Sequence, residues 1–294
     1  MIKRTVEISS PGSYLHVEQE NLVIERDGSE IGRVPCEDIG LLILDTPRLS
    51  MTQAAMNACA QSGAAIVVCG PDHHPNAIQL PLAGNVLHAQ RIRAQAEAKK
   101  PVQKRLWQQV VQAKLRVQTQ FLPKAHPNRN RIMEVAKDVK SGDTGNAEAF
   151  GAKLYWAALF EDIKFRRARD GEPPNNLLNY GYMVLRATVA RALCGAGLHP
   201  ALGIHHSHRE NPFALADDLM EPYRPFFDSR VRTLWDMGKR EIDRECKEVL
   251  LGALSAPISV DGNRGPLMVG IQRSAASLYQ CLAGESDRLA LPGR

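Results

Sequence analysis

The sequence predicts an α+β fold in which a small β-rich N-terminal domain is followed by a larger all-helical C-terminal domain. Short segments, mostly with β-branched or aromatic residues and separated by turn residues, fill much of the first 70 of the 294 residues. A proline-rich segment follows at 70–81, and beyond it apolar residues recur with the helical period of about 3.6. We therefore expect a β-rich domain at 1–72, a linker at 73–88 and a helical domain at 89–294.

The N-terminal segments predict two kinds of strand. Short strands are expected at 5–9, 14–18, 22–26 and 30–34, with turns at Pro11-Gly12, 19–21 and Asp27-Gly28. The segments 39–44 and 64–69 are apolar, which is typical of strands covered on both faces. Between them, 50–61 is expected to form a helix that is capped by Ser50 and ended by Gly63.

The C-terminal part is predicted to be helical throughout. Helices are expected at 101–121, 146–165, 177–194, 212–221, 226–251 and 266–282. The fifth of them is expected to break at Gly238. Pro212 and Pro266 suit first-turn positions, and Asn211 suits an N-cap. A solenoid is not expected, because the sequence shows no repeat with a period of about 20–50 residues.

The composition is that of a folded protein without a membrane segment. Hydrophobic residues make up 44% of the chain and charged residues 23%, which excludes a mainly disordered protein. No apolar stretch approaches the roughly 20 residues that a membrane helix needs, and the first residues lack the apolar core of a signal peptide. The six cysteines include no C-x-x-C pair, so we expect free, buried thiols in a reducing cytoplasm.

Basic charge is concentrated in one part of the chain. The formal net charge is +5, but residues 1–80 carry ten acidic and five basic residues, whereas 81–140 carry thirteen basic and three acidic ones. Such a block is either a solvated helix surface or a binding surface for a polyanion. The block and a second basic cluster comprise Arg91, Arg93, Lys99, Lys100, Lys104, Arg105, Lys114, Arg116, Lys164, Arg166, Arg167 and Arg169.

A histidine-rich loop precedes a short acidic helix in the segment 203–225. The loop carries His205, His206 and His208, and the helix carries Asp217, Asp218 and Glu221. Either aspartate can share a face with Glu221, because residues three or four positions apart on a helix are neighbours. The pattern indicates either a hard divalent cation with one nitrogen ligand or a solvated acidic face. A zinc site formed by the three histidines is a weaker alternative, since the usual cysteines and ligand spacing are missing.

Glu148 lies in the first turn of the helix expected at 146–165. Taken alone, a carboxylate at this position is explained by its favourable interaction with the helix dipole. Gly151, in the next turn, allows close backbone approach at some cost in helix propensity. The chain contains no Gly-x-Ser-x-Gly, Walker or G-x-G-x-x-G motif, so neither a serine hydrolase nor nucleotide-driven chemistry is indicated.

Four motifs occur in a fixed order along the chain. They are Asn146-Ala-Glu148-x-x-x-Ala-Lys-Leu-Tyr, Leu178-Asn-Tyr-Gly-Tyr-Met-Val-Leu185, Gly203-Ile-His-His206 and Asp217-Asp-Leu-Met-Glu-Pro-Tyr-Arg-Pro225. Together they resemble the CRISPR-associated adaptation integrase, the first-numbered CRISPR-associated protein, and most closely its members from type II systems. The resemblance extends over nearly the whole chain.

The resemblance implies a divalent-metal-dependent DNA endonuclease and integrase. Such a protein inserts short foreign DNA fragments into a CRISPR repeat array by attack of a 3′-hydroxyl on a phosphodiester. It implies that Glu148, His206 and Glu221 are catalytic and hold Mg²⁺ or Mn²⁺. His206 is preferred to His205 because the family's ligand histidine follows a Gly-x-x lead-in, here Gly203-Ile-His.

Other residues and partners also follow from the resemblance. Asp217 and Asp218 are alternative or supporting ligands, and Arg224 is a candidate phosphate contact. The DNA-binding residues expected from the resemblance and the basic clusters are Arg91, Arg93, Lys99, Lys100, Lys104, Arg105, Lys164, Arg166, Arg167 and Arg224. It also implies homodimers formed through the N-terminal domain and an integration complex with the second-numbered CRISPR-associated protein. Two other functions remain open, a stand-alone metal-dependent nuclease and a non-catalytic DNA-binding scaffold.

Overall fold

The N-terminal part of the structure contains two four-stranded sheets. A computed structural model of the chain describes residues 3–81, 84–168 and 170–293. The strands and the first helix are β1 Arg4–Ile8, β2 Ser13–Glu18, β3 Asn21–Arg26, β4 Ser29–Pro35, β5 Ile39–Leu44, β6 Leu49–Met51, α1 Gln53–Gln61, β7 Ala65–Cys69 and β8 Pro75–Gln79. The first sheet has the order β4-β3-β2-β6 and the second the order β1-β5-β7-β8. The β-rich N-terminal part is thereby confirmed.

The first sheet is an antiparallel meander with β6 added in parallel to β2. Its turns are where the sequence places them, at 19–21 and 27–28. Asp27 and Gly28 both have positive φ angles, 52° and 75°, which is the backbone of a two-residue turn matching the twist of a hairpin. The cap prediction for α1 is wrong, because Ser50 lies in β6 and the hydroxyl of Thr52 accepts the hydrogen bond from the Ala55 amide at 3.2 Å.

The second sheet lies between the first sheet and the helices. Strands β1, β5 and β7 are parallel, and all six residues of β5 are buried, as the apolar run at 39–44 predicts. Leu42 and Leu44 belong to the core shared with the first sheet, whereas Leu41 and Ile43 belong to the large core of the helical part. The β-rich part is thus one layer of a structure whose main core crosses the predicted domain boundary.

The edge strand β8 occupies part of the segment predicted as a linker. It pairs antiparallel with β7, and Pro75 is its first residue, where a missing amide is tolerated. A buried ammonium strengthens the connection to the helical part, since Lys247 contacts Asp45 at the end of β5 and lies 3.2 Å from Glu7 in β1. The chain at 73–88 therefore contains a strand, and the two parts are joined by more than a linker.

The C-terminal part is mainly helical but not entirely so. Its elements are α2 His88–Glu97, α3 Lys100–Gln120, α4 Pro127–Lys137, α5 Ala147–Leu159, α6 Asn175–Gly195, α7 Ala214–Met220, α8 Arg224–Asp236, α9 Arg244–Leu251, β9 Pro257–Val260, β10 Asn263–Pro266 and α10 Leu267–Leu282. The predicted break at Gly238 is confirmed by its φ of 80° between α8 and α9. The expectation of an all-helical part is wrong, because β9 and β10 form a hairpin.

The structure also bears on the cysteines and on membrane-spanning helices. All six cysteines are free, and all except Cys69 are buried, as predicted for small apolar residues. Within the residues that the structure describes, no helix combines the length and hydropathy needed to cross a bilayer.

Gly151 lies where α5 packs against α3, the close approach that the sequence analysis anticipated. A Cβ atom here would lie 2.1 Å from Cδ2 of the fully buried Leu115. We predict that Gly151→Ala lowers the free energy of unfolding by about 1–3 kcal/mol, because either the buried Leu115 side chain must leave its packed position or the two helices must move apart. Urea denaturation measures this effect. Gly195→Ala, at the end of α6, is the matched control, since its Cβ would meet no atom within 4 Å; equal stability of the two variants would contradict the prediction.

Candidate functional site

The short helix α7 begins later than the sequence suggests. It starts at Ala214 after the backbone cap Phe213, so Pro212 precedes the helix. Asn211 is not the cap, but its side-chain oxygen accepts a hydrogen bond from the Phe213 amide at 2.9 Å. Pro266 likewise precedes α10 as its cap residue. These differences shift the helix ends without changing which face the acidic residues occupy.

Asp218 organises the histidine loop. Its carboxylate is completely buried and accepts hydrogen bonds from the backbone amides of Ile204, His205 and His206 at 2.7, 2.9 and 3.2 Å. It also accepts one from Nδ1 of His206 at 2.5 Å. Since Nδ1 is engaged, Nε2 is the ring nitrogen left for another partner. Gly203 permits the tight loop, because a Cβ there would lie 2.2 Å from the carbonyl oxygen of His206.

The ring of Trp107 in α3 packs against both His205 and His206. The ring of His205 stacks on it at 4.1 Å with an interplanar angle of 3°, and His206 meets it edge-on at 5.7 Å. Burial lowers the pKa of His205, whereas the hydrogen bond to Asp218 raises the pKa of His206 against the effect of burial. The two neighbouring histidines therefore have different surroundings.

Glu148 is held at the start of α5. The carboxylate of Asp143 accepts hydrogen bonds from the amides of Ala147 and Glu148, at 2.8 and 3.0 Å, and so satisfies the first turn of the helix. The Asn146 residue that precedes the helix adopts the left-handed conformation with a φ of 54°. This local structure directs Glu148 towards α3 and the turn at Glu221–Tyr223, which links α7 to α8.

A lysine ammonium lies between the two glutamates that the motifs single out. Nζ of Lys114 contacts Oε1 of Glu148 and lies 2.5 Å from Oε2 of Glu221. Arg224 binds the other oxygen of Glu221 at 3.0 Å. Burial lowers the pKa of Lys114, but the charges of Glu221 and Glu148 outweigh it and raise the value. Burial alone would raise the pKa of Glu221, but the positive charges of Arg224 and Lys114 have the larger effect and lower it. The Glu221 carboxylate is therefore ionised at neutral pH.

The site fits a divalent cation in its chemistry. Two carboxylates and one imidazole are an oxygen-rich donor set suited to Mg²⁺ or Mn²⁺. The ammonium of Lys114 already stands as a cation between Glu148 and Glu221. Across 3–81, 84–168 and 170–293, no three His, Cys, Asp or Glu side chains are grouped closely enough to form a ready-made metal site. The arrangement brings two of the expected ligands to one cation, and His206 lies close enough to Glu221 for their charges to interact.

The aspartates of α7 are both engaged by protein groups. Asp217 receives hydrogen bonds from Arg186 at 2.6 Å and from Asn211 at 2.8 Å. Asp218 supports His206 as described. The remaining loop histidine, His208, is exposed and lines an open cleft of about 550 Å³ together with His206 and Arg209.

The basic residues fall into two groups. Those that are exposed are Arg93, Lys99, Lys100, Lys104, Arg105, Lys164 and Arg166. Others are held within the fold: Arg91 donates to the carbonyl of Ala196, Arg167 bonds Asn175 and Asn179, and Arg224 binds Glu221. Arg169 lies outside the described residues. The assignment of Lys114 to the basic surface is wrong, because its side chain is buried at the candidate site.

Residues that the sequence analysis missed surround the site. Asp228 of α8 is buried and accepts a hydrogen bond from the hydroxyl of Tyr182 at 2.5 Å. Arg224 lies over the Tyr182 ring at 4.8 Å from its centroid. The spacing of Trp107 and Lys114 indicated that both are buried. Trp107 lies three positions before the buried Val110 and Lys114 four positions after it, so all three share one face of α3. Asp228 carried a similar signal, because it lies three positions from both Pro225 and Val231, which are buried in α8.

Asp228 makes stability depend on pH. Burial raises its pKa to about 7, although Tyr182 and Arg224 act in the opposite direction. The unfolded carboxyl titrates near pH 3.9, so the folded state binds the proton more tightly and this contribution is lost as the pH rises towards about 7. We predict that wild type loses up to about 1.4 kcal/mol per pH unit relative to Asp228→Asn between about pH 5 and 7. Urea denaturation of both proteins checks this; parallel pH profiles would contradict it.

The comparison with known families decides the identity of the chain. Residues 6–251 match the family model described as CRISPR associated protein Cas1. The chain belongs to the Cas1 family. The CRISPR-associated endonuclease Cas1 of Neisseria meningitidis serogroup C (strain 8013) is 36% identical over 284 residues, which cover 95% of this chain and 91% of that protein. A Cas1 endonuclease of Pyrobaculum aerophilum is 27% identical and covers 94% and 98%.

Solved structures share the Cas1 fold. A casposase bound to its integration product superposes with a TM-score of 0.81 at 20% identity, covering 97% of this chain and 92% of that one. The Cas1 protein from Thermotoga maritima gives 0.73 at 15% identity, with 96% and 97% covered. A Cas6-RT-Cas1–Cas2 complex gives 0.75 at 16% identity, covering 97% of this chain and 35% of the larger one. The family that the four motifs indicated is confirmed.

Proposed function

We propose that this Cas1 protein is a divalent-metal-dependent DNA integrase of CRISPR adaptation. It joins the 3′-hydroxyl of a short DNA fragment to a phosphodiester of the repeat array. The observation that carries the proposal is the convergence of Glu148 and Glu221 on one cation beside His206, whose ring is oriented by Asp218. The endonuclease name of the Neisseria relative and the integration product bound by the casposase support the same chemistry.

Glu148, His206 and Glu221 are the residues that would hold the metal. When bound, Mg²⁺ or Mn²⁺ supplies polarisation of the scissile phosphate and stabilisation of the developing charge on oxygen. Asp218 fixes the His206 ring so that Nε2 remains available. Arg224 holds the second oxygen of Glu221 and thereby fixes the direction of that carboxylate. The protein then needs no nucleophile of its own, in agreement with the missing nucleophile motif.

DNA is the proposed partner of the exposed basic surface. The exposed residues at 93–105 lie on α2, at the N-cap of α3 and on the start of α3. Gln95 of α2 and Gln103 of α3 line the cleft beside His206. Phosphate contacts by these lysines and arginines would make affinity fall steeply with salt. Arg91, Arg167 and Arg224 would act indirectly, since protein groups hold their guanidinium groups.

The proposed assembly contains homodimers and the second CRISPR-associated protein. The name of the Cas6-RT-Cas1–Cas2 complex supports a Cas2 partner. A homodimer through the N-terminal sheets agrees with the exposed apolar side chains of Tyr14 in β2 and Ile31 in β4, which lie on the first sheet. In this arrangement the β-rich layer serves association while the helical part carries the chemistry.

A strand-transfer assay tests the proposed function. We predict that Glu148→Ala and Glu221→Ala each reduce the joining of a labelled 3′-hydroxyl fragment to a repeat-containing plasmid by more than about 100-fold. Glu241→Ala, which removes an exposed carboxylate away from the site, should retain wild-type joining. Full joining by both site variants would refute the catalytic assignment and favour a scaffold. Cleavage by the wild type without joined product would favour a stand-alone nuclease.

A further inference from the structure

Lys114 occupies a position that the proposed integrase chemistry does not explain. It projects from α3, and its side chain is only 8% exposed. Its helical neighbours Val110, Val111 and Val117 are all completely buried. Placing an ammonium in such surroundings is costly unless nearby carboxylates compensate it. Glu148 and Glu221 provide that compensation, and they are the carboxylates proposed to hold the metal.

The four charged groups in direct contact here balance without a metal ion. Glu148 and Glu221 bring two negative charges, and Lys114 and Arg224 bring two positive ones. A divalent cation added to this arrangement would leave an excess of positive charge in a poorly solvated place. The repulsion between such charges a few ångströms apart is strong at low dielectric. A metal ion and the ammonium therefore cannot both sit between the same carboxylate oxygens.

The position of Arg224 distinguishes it from Lys114. Arg224 binds Oε1 of Glu221 and lies over the Tyr182 ring, so it is anchored beside the carboxylate. Lys114 contacts Oε2 of Glu221 and Oε1 of Glu148, and thus lies between the two acids. Its flexible four-carbon stem can withdraw, whereas a planar guanidinium held by two partners cannot do so as easily. Lys114 is the cation that a metal must displace.

We propose that Lys114 is an internal competitor of the divalent metal, which keeps Glu148 and Glu221 paired in the metal-free protein and weakens metal binding. This inference rests on the proposed function, because it takes the two glutamates as metal ligands. The ammonium preserves the arrangement of the carboxylates before the metal arrives. Uptake of the metal then requires Lys114 to leave its place between them.

Metal binding by the DNA-free protein tests this inference. Mn²⁺ titration by calorimetry compares wild type with Lys114→Met, which keeps the length of the side chain but not its charge. We expect the variant to bind Mn²⁺ at least about tenfold more tightly, because the competing charge is gone. Lys114→Gln should show the same direction and serves if the methionine variant does not fold. Lys153→Met, which changes an exposed lysine on α5, should leave the affinity unchanged.

Thermal unfolding gives a second readout. Without Lys114 the carboxylates lose their counter-charge, so the variant should melt at a lower temperature than wild type in EDTA. Mn²⁺ should then raise its melting temperature by more than it raises that of wild type. Equal Mn²⁺ affinities and equal metal-induced shifts in wild type and both Lys114 variants would overturn the inference.

The Glu148→Gln variant distinguishes a failure of the proposed competition from a failure of the proposed metal site. If Glu148→Gln weakens Mn²⁺ binding in wild-type and Lys114→Met backgrounds alike, while the Lys114 change alone has no effect, the metal site stands and the competition is refuted. If Glu148→Gln changes Mn²⁺ binding in neither background, the proposed metal site fails and the inference fails with it. If Lys114→Met tightens Mn²⁺ binding and Glu148→Gln abolishes that increase, the result supports both the metal site and the competition by Lys114.

Discussion

His206→Ala is expected to reduce strand transfer by more than about 100-fold while leaving fragment binding largely intact. The loss follows from removing the only nitrogen ligand of the proposed site, whose ring Asp218 holds with Nε2 available. Binding should persist because the phosphate contacts are assigned to exposed residues of α2 and α3. Joined product on gels and fluorescence anisotropy of a labelled fragment measure the two effects separately. A parallel loss of binding would show that the histidine maintains the DNA surface instead.

His205→Ala is the matched control for this prediction. Its ring is stacked against Trp107, and it makes no hydrogen bond to Asp218 through its side chain among those identified in the structure. Losing the stack should cost stability, with an effect on strand transfer of less than about tenfold. If His205→Ala were inactive and His206→Ala active, the choice between the two neighbours would be wrong.

Much of the fold could be predicted because local sequence determines it. The turn at Asp27-Gly28 and the apolar run at 39–44 both carry strong signals, and both predictions are confirmed. The hairpin of β9 and β10 was missed although Asp261-Gly262 carries the same turn signal, with φ angles of 49° and 77°. The short strand β8 carries no such signal, because its proline and its position at a sheet edge make it resemble a linker.

The candidate site was predictable only in part. Glu148, His206 and Glu221 follow from the motifs, and two of them do converge on one cation. The identity of that cation was not predictable, since Lys114 meets Glu148 across 34 residues of chain and by tertiary packing alone. Its place on the buried stripe of α3 was visible in the sequence, but a lysine there suggests an exposed position. A charged residue at an apolar position of a helix is therefore a useful sign of a site.

Asp218→Ala is expected to lower the free energy of unfolding by about 3–5 kcal/mol, because it leaves three backbone amides of the histidine loop without their acceptor. The carboxylate is completely buried, and its bonds to Ile204, His205 and His206 are what hold the loop against α7. Since the ring of His206 also loses its partner, Mn²⁺ affinity should fall by about 10–100-fold. Urea denaturation and Mn²⁺ titration measure the two losses on the same preparation.

Asp217→Ala is the matched control one position earlier on the same helix. Asp217 also accepts two side-chain hydrogen bonds, but they come from Arg186 and Asn211 and not from the loop that carries His206. Its removal should cost about 1–3 kcal/mol, because the Arg186 side chain left without its partner is partly exposed, and should leave Mn²⁺ affinity within about threefold of wild type. If the two variants lost equal stability and bound Mn²⁺ equally, Asp218 would have no specific role in supporting His206. A selective loss at Asp218 would show that the loop's hydrogen bonds and the metal ligand depend on a single carboxylate.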